Sequence, residues 1–170
     1  LPPLPKRDTL QLAWQRAEVP HLLFLCQGNI CRSPYAEHKA RQLLGAALLP
    51  VTVSSAGMIP KNGRASPEEA VEAAQAVGID LHTHTSRHAQ PSVVDQATWI
   101  VVFDNINRRA LLARPTSNQS SWRRVGVVCA AVVRWCPKVI GAVRVVAGGS
   151  GSHVVPDRLI EGVNWYAANA

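Results

Sequence analysis

The sequence predicts an α/β fold built on a doubly wound parallel sheet, and three observations carry that expectation. Short apolar or β-branched runs alternate with helical stretches, in the order Leu22–Leu25, Pro34–Leu44, Val51–Val53, Ala70–Val77, Trp99–Phe103 and a helix to about Ala113. Proline or aspartate opens the helical stretches and glycine follows two of them, which is the punctuation of strand–helix units. Finally, 170 residues with 47% hydrophobic content suffice for one domain with a single core.

In chain order, Leu1 to Val19 opens with Leu-Pro-Pro-Leu-Pro-Lys-Arg and reads as an extended lead-in or linker, with a short helix at Leu10–Ala17. Beginning with Leu, the chain is compatible with a start further upstream. Leu22–Leu25 suits a buried strand, and Ser33 and Pro34 read as the N-cap and first position of a helix that Gly45 could stop. Val51-Thr52-Val53 predicts a second strand, with Ser55-Ala56-Gly57 at its end. Ser66-Pro67-Glu68-Glu69 has the form of a capping box, and Gly78 closes the helix that follows. Trp99–Phe103 is the strongest strand signal, and Asp104 reads as the cap of the next helix. Val127–Val133 and Val139–Val146 are further strand candidates.

The chemistry concentrates in Leu22–Pro34. Cys26 falls at a strand end beneath a helix N-terminus. The seven residues Cys26, Gln27, Gly28, Asn29, Ile30, Cys31 and Arg32 can wrap their backbone N–H groups around one centre, where the helix dipole adds positive potential. Such a nest favours an anion and, by the same potential, a cysteine thiolate. Arg32 can grip two oxygens of a tetrahedral oxyanion in a fork. A lone cysteine after an apolar run is usually a packed core thiol; here Gly28, Asn29, Arg32, Ser33 and Pro34 match together.

Cys26 to Pro34 resembles the signature of the low-molecular-weight protein tyrosine phosphatases, Cys-x-Gly-Asn-x-Cys-Arg-Ser-Pro, at every fixed position. The resemblance implies a three-layer αβα fold with a central four-stranded parallel sheet, with a phosphatase domain over 20–170 after the lead-in at 1–19. It implies hydrolysis of phosphotyrosine or small aryl phosphate esters through a phosphocysteine, with Cys26 as nucleophile and Arg32 as phosphate clamp. It implies loop support by hydrogen bonds from Asn29, Ser33, Ser55 and His84. Asp104 and Asn107 echo the family's Asp-x-x-Asn after its central strand. Val155-Pro156-Asp157 resembles the acid loop and makes Asp157 the candidate proton donor, although Arg158-Leu159 stand where the family has proline and an aromatic. Met58-Ile59 and Arg158-Leu159 occupy the places of the family's pocket walls.

Residues 122–170 are atypical: they hold six of the 18 Lys and Arg but only two of the 11 Asp and Glu. That composition fits either a diverged tail or a shifted reading frame. Cys129 and Cys136 have the spacing of the relay pair in thioredoxin-coupled arsenate reductases, which share this fold and loop. That activity, and a catalytically weakened phosphate-binding module, are the alternatives to the phosphatase.

The formal charge of +7 is scattered, without the clustered Lys/Arg run or interleaved aromatics of a nucleic-acid binder, yet it would favour an acidic substrate. No apolar run approaches the roughly 20 residues needed to span a bilayer, and no signal peptide is evident. Placing the thiolate Cys26 and its neighbour Cys31 in one loop argues against a disulfide framework and for a reducing, cytoplasmic setting. His82, His84 and His88 lack a convincing metal ligand set, so neither metal nor other cofactor is expected. His38 reads as an exposed helical residue. No oligomeric state is assigned.

Overall fold

The computed structural model describes residues 12, 14–46, 48 and 50–114, and the backbone of 126–129. Strands β1 (His21–Cys26), β2 (Thr52–Gly57) and β3 (Trp99–Val102) form the core of a parallel sheet, and β4 (Gly126–Cys129) extends it in the order β2-β1-β3-β4. Helices α1 (Arg32–Ala46), α2 (Glu68–Gln75), α3 (Pro91–Asp95) and α4 (Asn105–Leu112) follow the strands, and the described residues of the lead-in, Leu12 and Trp14 to Arg16, are helical as expected.

The strand period of two divides the core between two faces. Leu22, Phe24, Cys26, Trp99 and Val101 pack with Ala36, Ala40 and Leu44 of α1, and Trp14 covers Trp99 with ring centroids 4.6 Å apart. Leu23, Leu25, Ile100 and Val102 pack the other way, against Val94 of α3 and Leu111 of α4. Helices on both faces are the three-layer arrangement, and residues buried on both sides explain why the strands read as unbroken apolar runs. A third cluster joins Tyr35 on α1 to Val71 and Ala74 on α2, and to Ile79 and Leu81. Truncating a fully buried member such as Ile100 would cost about 2–5 kcal/mol.

The chain adds β2 on one side of β1 and β3 on the other, so the winding reverses at β1. Connections then diverge beyond the carboxyl ends of β1 and β3, where open α/β sheets hold their ligands. Register finishes the placement. Leu25 pairs with Val102 and Cys26 with Gly57, so Phe103-Asp104 emerges on one flank of the Cys26 loop and Gly57-Met58 on the other.

Several boundaries differ from the sequence reading. Helix α1 begins at Arg32, ahead of Ser33, and runs through Gly45 to Ala46. Ser33 is therefore not the N-cap; its hydroxyl turns inward to the loop. Strand β2 continues to Gly57, so Ser55 lies within the strand. Pro67 occupies the N-cap position of α2 with no side-chain cap, and the helix ends at Gln75 with Ala76 as C-cap, short of the expected Val77; Gly78, at φ +75°, then turns the chain so that the Ile79 N–H returns to the Ala74 carbonyl at 3.0 Å. Helix α3 has Pro91 in its first turn and is an extra element between α2 and β3. His38 is half-buried, with its ring centroid 6.5 Å from that of His84. Asp157, Arg158-Leu159, Cys136, most of 1–19 and the rest of 115–170 lie outside the described residues.

Candidate active site

Cys26 is the last residue of β1, and its parity with Leu22 and Phe24 turns its side chain toward the α1 face. The loop that follows folds back over it. Asn29 takes a left-handed conformation at φ 53°, which asparagine tolerates better than most residues. That turn aims the Asn29 N–H at Cys26 Sγ, 3.2 Å away, and Ser33 Oγ stands 3.0 Å from the same sulfur. Both contacts come from the start of α1 or the turn below it, where unpaired N–H groups and the helix dipole raise the potential.

The loop is held from several sides. Asn29 is completely buried and uses its whole side chain: Nδ2 donates to Ser33 Oγ at 2.9 Å and to Ser55 Oγ at 2.8 Å, while Oδ1 accepts from the Arg87 N–H at 2.8 Å. His84 Nε2 lies 2.8 Å from the Asn29 carbonyl oxygen, which makes Nε2 the protonated ring nitrogen. Met58 and Ile59 run alongside, their N–H groups donating to the carbonyls of Cys26 at 3.0 Å and Gln27 at 2.9 Å. Gly57 lets the loop approach: a Cβ there would stand 2.9 Å from Gly28 C.

Arg32 opens α1 and is partly exposed at the mouth. Its Nη1 donates to Asp104 Oδ2 at 2.7 Å, and its guanidinium lies 5.9 Å from the Phe103 ring centroid. The other carboxylate oxygen, Oδ1, accepts from the Asn107 N–H at 2.6 Å, so Asp104 caps α4 and anchors Arg32 together. One of five guanidinium donors is thereby used, and the fork stays oriented by the rest of the molecule. Gln27 is exposed; its Oε1 accepts from Asn107 Nδ2 at 3.3 Å. Ile30 is half-buried beside Gly28.

Cys31 shares the loop with Cys26, and both are free cysteines. Burial pushes the Cys31 thiol up, with the neighbouring Cys26 adding to it and Arg32 partly opposing, so Cys31 stays protonated at neutral pH. The histidines of the 82–88 segment go separate ways. His82 pairs with the exposed Asp80 at 2.8 Å, His84 supports the loop, and His88 Nε2 accepts from Arg114 Nη2 at 3.3 Å. Among the described residues no group of three or more His, Cys, Asp or Glu is placed to hold a metal ion.

The sequence reading overlooked four supports: Glu37, Arg64, Arg87 and the backbone of Met58-Ile59. Glu37 follows the loop signature by three residues on α1, a spacing that returns it to the same helix face as Ser33, and that was the available signal. Arg64 Nη2 donates to the Gly28 carbonyl at 2.5 Å and Arg87 Nε to that of Ser55 at 2.6 Å; both depend on long-range loop packing that no local pattern announces.

The sequence model of the low molecular weight phosphotyrosine protein phosphatases matches residues 21–130, which include every element above. The chain belongs to that family. A relative named "Probable low molecular weight protein-tyrosine-phosphatase EpsP", from Ralstonia solanacearum, is 37% identical over 105 residues, covering 62% of this chain and 70% of the relative. An arsenate reductase of Staphylococcus epidermidis is 27% identical over 104 residues, covering 59% of this chain and 73% of that protein. Among solved structures, the solution structure of a low molecular weight protein tyrosine phosphatase from Bacillus subtilis is 25% identical with a TM-score of 0.55, covering 64% of this chain and 69% of that one. The enzyme of the same description from T. tengcongensis, at 18% identity and a TM-score of 0.56, covers 88% of this chain and 93% of its own. The fold is that of the phosphatase family, and the matched span ends at residue 130, close to where the sequence resemblance fades.

Proposed function

We propose that this phosphatase-family member hydrolyses phosphotyrosine and related aryl phosphate monoesters through a phosphocysteine on Cys26. One observation carries the assignment: the Asn29 N–H and the Ser33 hydroxyl converge on Cys26 Sγ at the mouth of the β1–β3 crevice, with Arg32 beside them. Two polar contacts on a buried sulfur are what a reacting thiolate needs and a packed core thiol does not.

In the first step Cys26 Sγ attacks phosphorus, the S–P bond forms, and the bond to the phenolic oxygen breaks. The loop N–H groups and Arg32 bind the three equatorial oxygens, whose charge is the main quantity to be stabilised. Asp157 is assigned as the acid that protonates the departing phenolate. Its carboxylate then takes a proton from water as that water attacks phosphorus, releasing inorganic phosphate and the thiolate. Asp104 serves as a positioning group for Arg32; its two oxygens are already committed to Arg32 and to the cap of α4.

Ile59 and Ile30, both half-buried beside the loop, are assigned as the apolar border for an aromatic ring, which favours phosphotyrosine over smaller esters; Met58, expected as a second wall residue, is instead buried in the core cluster of Leu23, Leu25 and Ala56. A reduced Cys26 is required throughout, so the enzyme is assigned to the cytoplasm; among the described residues no helix is long and apolar enough to cross a membrane. Hydrolysis of an aryl phosphate by wild type, Cys26→Ser and Asp157→Asn tests the assignment. Turnover is expected in wild type, abolished in Cys26→Ser and reduced about 10²–10⁴-fold in Asp157→Asn. Absence of wild-type turnover would remove the hydrolase reading and leave a phosphate-binding module.

The likeness to arsenate reductases gives a second reading a specific basis, and Cys129 closes β4. Against it, Asp104 stands directly after the central strand, where the first relay cysteine of that family belongs, and is occupied as a cap and arginine anchor. Arsenate-dependent oxidation of reduced thioredoxin, lost in Cys129→Ser with phosphatase activity retained, would favour the reductase.

A further inference from the structure

We infer that Glu37 sets the direction of the hydrogen-bond chain that ends on Cys26, and that it acts as a positioning residue for the reaction. The inference rests on the phosphatase reading only in taking Cys26 as the reacting group.

Glu37 lies on α1, is 8% exposed, and binds through both oxygens. Oε1 pairs with Arg41 Nη2 at 2.6 Å, one helical turn on, and Oε2 accepts the Ser55 hydroxyl proton. A carboxylate can only accept. Ser55 must therefore spend its proton on Glu37 and present a lone pair to Asn29, whose Nδ2 donates to it at 2.8 Å. The Arg87 N–H fixes the other end of that amide, because a donor must face Oδ1. With the amide so held, the second Nδ2 proton goes to Ser33 Oγ at 2.9 Å, and the Ser33 proton is left to point at Cys26 Sγ, 3.0 Å away. The alternative acceptor for Ser33, the Ala56 carbonyl, is at 3.4 Å and is the weaker choice. Reading from Glu37, Ser55 and Asn29 can each take one direction only, and the shorter of the two contacts left to Ser33 puts the last proton in the line on the sulfur. Buried networks of this kind polarise along their length.

Replacing Glu37 by Gln keeps the shape and adds a donor. Arg41 will hold the amide oxygen, so the amide nitrogen faces Ser55. Ser55 then meets two donors with no acceptor for its own proton, a costly state when buried. Relief requires the Asn29 amide to turn over, which sets its nitrogen against the Arg87 N–H and an oxygen against Ser33. Ser33 then donates to Asn29, and Cys26 loses its hydroxyl donor.

The test combines turnover of an aryl phosphate with the rate of iodoacetamide alkylation of Cys26 at neutral pH, read by peptide mass spectrometry. Glu37→Gln, with its fold checked by circular dichroism, is expected to lower kcat roughly tenfold, less than the 10²–10³ lost when a donor touching the oxyanion is removed, and to slow alkylation in parallel. Arg41→Met alone leaves Glu37 an acceptor and is expected to cost far less. In Glu37→Gln/Arg41→Met the glutamine can turn its oxygen to Ser55, so turnover and alkylation recover toward wild type. A role confined to the Glu37–Arg41 ion pair predicts the reverse, with Arg41→Met as harmful as Glu37→Gln and no recovery in the double variant; that result overturns the inference. Ser55→Ala breaks the chain with the ion pair intact and is expected to reproduce the loss, which decides the matter if Glu37→Gln does not fold; full activity and alkylation in Ser55→Ala also overturns it. Wild-type alkylation that follows this pattern without turnover would instead remove the phosphatase reading and keep the chain.

Discussion

Gly57→Ala is the sharpest perturbation that the loop geometry offers. The new Cβ would lie 2.9 Å from Gly28 C, 3.0 Å from Asn29 N and 3.1 Å from Asn29 Cβ. These are backbone atoms or close to it, so no flexible side chain can yield. Restoring an ordinary carbon–carbon separation of about 3.5 Å requires a displacement of roughly 0.6 Å. The peptide pushed carries the nitrogen that faces Cys26 Sγ at 3.2 Å, so a shift of that size stretches or misaligns the contact. Overpacking of this kind costs about 1–3 kcal/mol, which for a chain of this length lowers Tm by roughly 2–4 °C per kcal/mol. Misplacement on the order of 1 Å can cost about 10² in rate, so kcat/KM for an aryl phosphate should fall by one to two orders of magnitude, beyond what the stability loss explains at 25 °C. Thermal unfolding and steady-state kinetics on the same preparations provide the comparison. Gly45→Ala is the control, since a Cβ there meets nothing within 4 Å and the substitution falls inside α1; it should be neutral or stabilise by about 0.5–1 kcal/mol. Wild-type Tm and kinetics in Gly57→Ala would refute the close-approach argument.

Asp104→Asn keeps an oxygen to cap α4 but loses the charge that anchors Arg32; it should leave Tm nearly unchanged and raise KM, whereas Asp104→Ala should also lose about 0.5–2 kcal/mol of cap stability. Arg64→Ala removes the donor on the Gly28 carbonyl, whose peptide carries the Asn29 N–H, and should weaken inhibition by inorganic phosphate about tenfold, in line with roughly 1.5 kcal/mol for a hydrogen bond to a charged group. The pH dependence of stability has a definite sign at His21: burial lowers its proton affinity, opposed by the Gln96 carbonyl and reinforced by Arg87. The unfolded chain, with histidine near 6.5, then binds more protons than the folded one, so stability falls as pH drops below about 6.5 toward the folded value. His38 and His88 are also depressed, mainly by burial, and act in the same direction. His21→Gln should flatten part of this slope in urea titrations between pH 7.5 and 5.5, chosen around the ~6.5 reference; an unchanged slope would count against the assignment.

The readable part of the fold was local. Cys26-Gln-Gly-Asn-Ile-Cys-Arg compresses strand end, turn and helix start into seven residues, each constrained by its neighbours, and Trp99–Phe103 and Asp104 declare a strand and a cap by their own chemistry. Errors arose where tertiary contacts override local preference. Ser33 has the composition of an N-cap, but the sulfur and Asn29 compete for its hydroxyl and win, and the helix starts at Arg32, two residues before Pro34. Ser55-Ala56-Gly57 looks like a turn because its residues are small; they are small because the Cys26 loop lies on them, and strand pairing with Phe24, Leu25 and Cys26 keeps them extended. Glu37 reads as an ordinary helix-surface carboxylate until β2 brings Ser55 to it. Pairing across 18 residues leaves no periodic trace.

The most direct measurement is acid quenching of the protein during turnover of an aryl phosphate, followed by mass spectrometry of the peptide that contains Cys26. A phosphate adduct on Cys26 that forms within the burst, decays as substrate is exhausted and is absent in Cys26→Ser is the predicted result. Steady hydrolysis by Cys26→Ser, or an adduct on any other residue, would contradict the account.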